Sequence, residues 1–162
     1  MQEIIKLISQ LVELYHRLIL VVATSGGGKT FTLQKIEKVT KGYYINVNLE
    51  LSQRLLDLTE HQRSLKTPLL LREIIESNTR EIVLLDNIEL LFDVSLKQDP
   101  LRLLQGLSRN RTIIVSWNGV LENGHLIYAE PGHPEHRSYS AQDLVIVHPK
   151  PSLSVDSFRS LD

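Results

Sequence analysis

Residues 23–30 read Ala-Thr-Ser-Gly-Gly-Gly-Lys-Thr and follow the apolar run Leu18-Ile-Leu-Val-Val22. No other stretch constrains the fold as strongly. A run this short and this β-branched is a buried strand, and three glycines at its end leave a turn with no side chains in the way. Successive backbone N–H groups in such a turn point inward at an anion, and a following helix adds its positive end. In a phosphate-binding loop of this kind Ser25, Gly26, Gly27 and Gly28 form the cradle. Lys29 supplies a point charge for the β- and γ-phosphates, and Thr30 a hydroxyl for Mg2+. The pattern G-x-x-x-x-G-K-[ST] is met except at Ala23, which stands where the first glycine is expected.

A second element answers the first. Glu81-Ile-Val-Leu-Leu-Asp86 is a short apolar strand ending abruptly in a carboxylate, which places Asp86 at the carboxyl edge of a parallel sheet, where open α/β sheets bind ligands. Taken alone, Asp86 reads as a helix N-cap. Paired with the glycine loop, on what the sequence predicts to be a neighbouring strand, it reads as the aspartate that holds Mg2+ through water.

Composition narrows the class. The chain has 162 residues, enough for one domain with a real core, and its formal net charge of −1 gives no global field to draw it onto nucleic acid or an anionic membrane. It has no cysteine, hence neither a disulfide framework nor a thiolate metal site, which fits a cytoplasmic location. Charged residues interrupt the apolar N-terminal stretch, and no run reaches the length a membrane span needs, so no membrane partner is expected.

Helical spacing predicts an amphipathic helix over 3–17, a second from Lys29 to Val39, and two more over Leu51–Leu58 and Leu69–Glu76, the last opened by Pro68. Tyr43–Val47 and Thr112–Ser116 read as strands, and Asp99-Pro100 as a helix start running to about Ser108. Asn123-Gly124 between apolar pairs signals a hairpin, Glu130–Ser140 an irregular loop, and Leu144–Val147 a last strand. The expectation is one α/β domain over 1–148, a mainly parallel sheet flanked by helices with no separate lid, followed by a surface tail over 149–162.

These motifs resemble those of P-loop NTPases of the additional-strand class, the group that contains AAA+ ATPases; the resemblance covers Leu18 to Asn118. Within that class, Leu84-Leu-Asp-Asn-Ile-Glu89 and Tyr128-Ala-Glu-Pro-Gly-His-Pro-Glu135 resemble the BrxF family, the small P-loop component of some BREX phage-defence systems. The resemblance implies ATP and Mg2+ as cofactors and an ATPase working among other defence-system proteins, with DNA reached through those partners. It also implies a sensor role for the polar residue that ends the strand Ile113 to Ser116, and Asn118 just beyond it is a candidate site residue. The class ends its acidic strand in Asp-Glu, the glutamate polarising the attacking water. Asn87 stands in that place and cannot take a proton, leaving Glu89 and Glu50 as the nearest alternatives. A lidless domain exposes one side of its nucleotide, so a cation from a second copy is expected, and Arg109, Arg111 and Arg137 are the candidate arginine fingers of a homo-oligomer.

Two other function classes fit the loop. One is a small-molecule kinase, which needs an arginine-bearing lid that the sequence does not clearly offer; the other is a module that holds nucleotide without turnover, which Asn87 favours. Arg109 and Arg111 flank Asn110 before a strand and read either as a solvated turn or as phosphate contacts. His133 and His136, with Pro134 between them, read as solvated loop histidines rather than metal ligands, and Trp117 as core.

Overall fold

The computed structural model describes residues 2–149 and the backbone of 154–157. The chain runs α1 (Gln2–Leu11), β1 (Leu18–Ala23), α2 (Lys29–Thr40), β2 (Tyr43–Asn46), α3 (Val47–Leu55), α4 (Glu60–Glu76) and β3 (Ile82–Asp86). Two 3-10 turns, Glu89–Phe92 and Val94–Leu96, lead to α5 (Pro100–Leu107), then β4 (Thr112–Glu122), β5 (His125–Tyr128), β6 (Arg137–Ser140), β7 (Val145–His148) and β8 (Ser154–Ser157). The main sheet has the order β2-β3-β4-β1-β7-β8, parallel throughout except for the antiparallel β7–β8 pair. This is an α/β fold with a mostly parallel sheet flanked by helices.

Strand alternation sorts the core into two layers. Leu18, Leu20 and Val22 of β1 face the cluster of Leu51, Leu71, Ile74 and Leu104 from α3, α4 and α5. Ile19 and Val21 face Leu33 and Ile36 of α2 with Ile4 and Leu11 of α1. Both faces of the strands are therefore apolar, which accounts for their unbroken Val/Ile/Leu runs.

Several expected boundaries move, each for a local reason. The first helix ends at Leu11 and not at residue 17. Arg17 is already tied to the sheet edge, its N–H donating to Ser108 O and its carbonyl accepting from Ile113 N, so the chain must leave the helix earlier. Pro68 lies inside α4 and does not open it. The helix starts at a capping box, Thr59 with Gln62. Proline removes the N–H that would reach the carbonyl four residues back, Ser64 O, and Gln98 Nε2 donates to that oxygen at 2.8 Å instead. Asn46 caps α3 by accepting from Leu49 N, so that helix spans Val47–Leu55 and not 51–58. The stretch expected as an irregular loop contains β6, and part of the expected surface tail forms β8; residues 150–153 and 158–162 of that tail lie outside the described ones, and of β8 between them the backbone alone is described.

The strand expected to stop near Ser116 runs on to Glu122. Its second half leaves the parallel sheet and pairs with β5 through a turn in which Asn123 and Gly124 both take positive φ. Trp117 is fully buried there, edge-on to Phe92 and Tyr128, with Nε1 donating 3.2 Å to Ile127 O. Gly119 is what lets the hairpin close: a Cβ at this position would stand 1.9 Å from Ile127 O. Gly119→Ala is expected to lower stability by about 3 kcal/mol, the upper range for forced overpacking. Urea unfolding followed on the emission of Trp117, the chain's single tryptophan, reads this out. An unchanged midpoint would mean that the two strands do not approach this closely.

Candidate functional site

The site stands at the carboxyl edge of the sheet, on the α2 face. The glycine loop leaves β1, and Gly26 and Gly28 both take positive φ, 77° and 87°, conformations that L side chains disfavour. Gly28 is the N-cap of α2 and offers no side chain, so the first N–H groups of that helix have no capping acceptor. Lys29 reaches back across the loop and donates from Nζ to Thr24 O at 2.8 Å. Burial lowers the pKa of the Lys29 ammonium, while the nearby carboxylates of Glu89 and Asp86 oppose that shift.

Strand periodicity brings the partners together. Leu84 of β3 packs on the α2 face, so Asp86, two residues on, faces the same way; Ile114 of β4 does likewise for Ser116. Asp86 is 2% exposed and accepts from four groups. Thr30 Oγ1 donates to Oδ2 at 2.7 Å and Ser116 Oγ to Oδ1 at 2.6 Å, joined by Tyr44 OH on Oδ2 and the Asn87 N–H on Oδ1 at 3.1 Å. Burial alone would raise the pKa of this carboxyl; the hydrogen bonds from Ser116, Tyr44, Thr30 and Asn87 outweigh it and lower the pKa below the usual value. Burial and the bond to Asp86 in turn push the Tyr44 phenol up.

The sequence suggested that the two motif-bearing strands are neighbours, and they are not. β4 lies between β1 and β3, and Ser116 on that intervening strand bridges the gap. Asn118 pairs in register with Ala23, beside the loop's first residue, while Ser116 takes the place on the carboxylate. Asn87 sits at φ 53°, a left-handed conformation that asparagine tolerates better than glutamate. Backbone geometry thus suits asparagine at this position better than the glutamate that the resemblance implies.

Of the two alternative carboxylates, only Glu89 is near the loop. Its charge acts on Lys29, and Asn48 Nδ2 donates to its Oε2 at 3.3 Å. Asn48 also takes the Leu90 N–H on Oδ1 and donates its own N–H to Asn87 O, fixing the chain that carries Glu89. Glu50 turns away, its Oε2 paired at 2.8 Å with Arg54 one helical turn on. Tyr44 and Asn48 escaped the sequence reading; both act through side-chain contacts made across β2–β3 pairing or the start of α3, which no local motif signals.

The candidate arginines do not converge on the loop. Arg109 and Arg111 precede β4, at the amino edge, about 20 Å of strand away from a loop that follows the carboxyl end of β1. Arg137 donates from Nη2 to Gln98 O at 2.7 Å and serves packing. His133 Nδ1 accepts from Glu135 N and His136 Nδ1 meets Ala129 O, both within their own turn. No group of three or more potential His, Cys, Asp or Glu ligands occurs among the described residues.

Thr30 and Asp86 offer two hard oxygen donors within 2.7 Å of each other, beside the glycine turn and the Lys29 ammonium. That donor set suits Mg2+, which takes one or two carboxylates and completes its shell from phosphate and water. No helix among the described residues is long and apolar enough to cross a membrane. In comparisons with known proteins, no family model matches the chain and no curated protein matches it.

Proposed function

We propose that this chain is a P-loop NTPase of the additional-strand class that binds Mg-ATP at the glycine loop and hydrolyses it slowly when alone. The observation that carries the proposal is the Thr30–Asp86 hydrogen bond, which joins the loop to the end of a strand 56 residues away, with Ser116 of the strand between them on the same carboxylate. An extra strand between the two motif strands supports the class. In this reading the N–H groups of residues 26 and 28–30 and the Lys29 ammonium bind the phosphates, the Gly27 N–H being closed on Thr24 O at 3.0 Å, and Thr30 and Asp86 hold Mg2+. The metal supplies charge neutralisation at the phosphate oxygens when bound. Glu89, oriented by Asn48, is the carboxylate that positions and deprotonates the attacking water. Asn87 keeps its turn and leaves proton transfer to Glu89.

Glu89→Gln preserves shape and the bond from Asn48 while removing the base. It is expected to cut phosphate release tenfold or more with Mg-ATP affinity within about twofold. Binding measured by calorimetry alongside phosphate release gives the answer. Equal turnover in the variant would assign the base elsewhere, and no ATP binding by the wild-type chain would remove the whole reading.

The setting proposed is an anti-phage complex, on the strength of the BrxF-like motifs. A developing negative charge at an open loop needs a further cation. The three candidate arginines do not reach the loop within one copy, so a second copy or another defence protein supplies it.

A further inference from the structure

The ends of α4 and α5 and the turn before β4 enclose a cleft of about 520 Å3, lined by Arg72, Glu76, Gly106, Arg109, Asn110 and Arg111. It lies at the amino edge of the sheet, away from the glycine loop. Three guanidiniums against one carboxylate make it locally positive on a chain whose formal net charge is −1. Helix C-termini bring negative dipole ends to this side, and one arginine is spent on them: Arg111 donates from Nη1 to Ile75 O at 2.8 Å. Arg109 is held differently. Its guanidinium lies 4.4 Å from the ring centroid of Tyr15, a contact that orients the group through its face and uses none of its N–H donors. Tyr15 as a residue is 65% exposed, with the His16 ring edge-to-face against it at 4.7 Å between centroids. A Cβ at Gly106 would stand in open space, with nothing within 4 Å, so a side chain fits at this position of the cleft lining.

We propose that this cleft binds the phosphodiester backbone of a single-stranded nucleic acid. Arg72 and Arg109 hold successive phosphates, Asn110 contributes a neutral donor, and the exposed Tyr15 ring gives an adjacent base a stacking surface. Guanidiniums with open forks, that of Arg109 oriented by Tyr15, match phosphate oxygens, and an exposed aromatic beside them is the pairing that single strands use. The cleft's residues and its sheet edge are separate from the glycine loop.

The test is fluorescence anisotropy of the full chain with a labelled oligothymidylate and with a duplex of the same length, between 50 and 200 mM salt, without ATP. The single strand is expected to bind more tightly than the duplex. Arg72→Ala/Arg109→Ala should weaken it tenfold or more and flatten the log–log salt slope by about 1.4, the share of two phosphate contacts. Gly106→Glu places a carboxylate in the cleft while favouring the helix, so loss of binding in that folded variant is expected as well. Lys29→Ala should leave the affinity unchanged, which separates this site from the nucleotide loop. Unchanged affinity and slope in the double arginine variant, or tighter binding of the duplex, would overturn the proposal. So would binding of polyglutamate at equal strength, which would make the cleft a protein-docking site.

Discussion

Lys29→Ala is expected to weaken Mg-ATP binding at least a hundredfold and to abolish hydrolysis without unfolding the domain. A hundredfold corresponds to about 2.7 kcal/mol, a reasonable loss for an ammonium facing two phosphates. The fold should survive because the one hydrogen bond of this side chain goes to Thr24 O on an exposed loop, which water can replace. The stability change is therefore expected within about 0.5 kcal/mol, as for surface positions in general. Removing Lys29 also takes away the charge that faces Glu89 and Asp86. The apo variant consequently carries two less-compensated carboxylates, which deepens the penalty for bringing in a polyphosphate. Calorimetric titration with Mg-ATP, alongside thermal unfolding without nucleotide, separates the two quantities. An affinity within threefold of wild type would mean that the glycine turn does not hold phosphate.

What the sequence made legible, and what it did not, follows the range of the interactions. The glycine turn, the strand ending in Asp86 and the Asn123-Gly124 hairpin are local: each is written in a few consecutive residues, and each forms as expected. The course of α4 through Pro68 was not legible, because the donor that satisfies Ser64 O comes from Gln98, 34 residues on. The place of Ser116 was visible only as a polar strand end. Its contact with Asp86 depends on β4 entering the sheet between β1 and β3, a choice of strand order that no local pattern encodes. Asn87 is the most instructive departure. Read as chemistry it is a lost base; read as backbone it is a residue that accepts φ 53° at a sharp turn, with the next carboxylate, Glu89, brought beside Lys29 by that turn and by Asn48.

Asp86→Asn tests the other half of the site, and its effect divides into a metal part and a folding part. The amide keeps the shape of the side chain, and the hydroxyls of Thr30, Tyr44 and Ser116 can rotate to accept from it, so the fold is expected to persist. Charge is what the variant loses. ATP affinity should then become the same with Mg2+ as with a chelator, whereas the wild type should bind tenfold or more tightly with the metal. The folding part appears in acid. Four hydrogen bonds outweigh burial and hold the Asp86 carboxyl below its ordinary range, so its ionised form adds stability that is complete above the unfolded value near 4 and disappears as pH falls through the folded value. Asparagine does not titrate, so in the variant this share of the acid-induced loss is absent and the stability–pH curve should be flatter below about pH 4. Urea midpoints measured from pH 7 down to pH 3, with parallel Mg2+ titrations at pH 7, read both parts in one series. A variant that retains metal-dependent tightening would remove Asp86 from the metal site. One that matches the wild type's acid slope would mean that the four hydrogen bonds do not hold the carboxylate ionised.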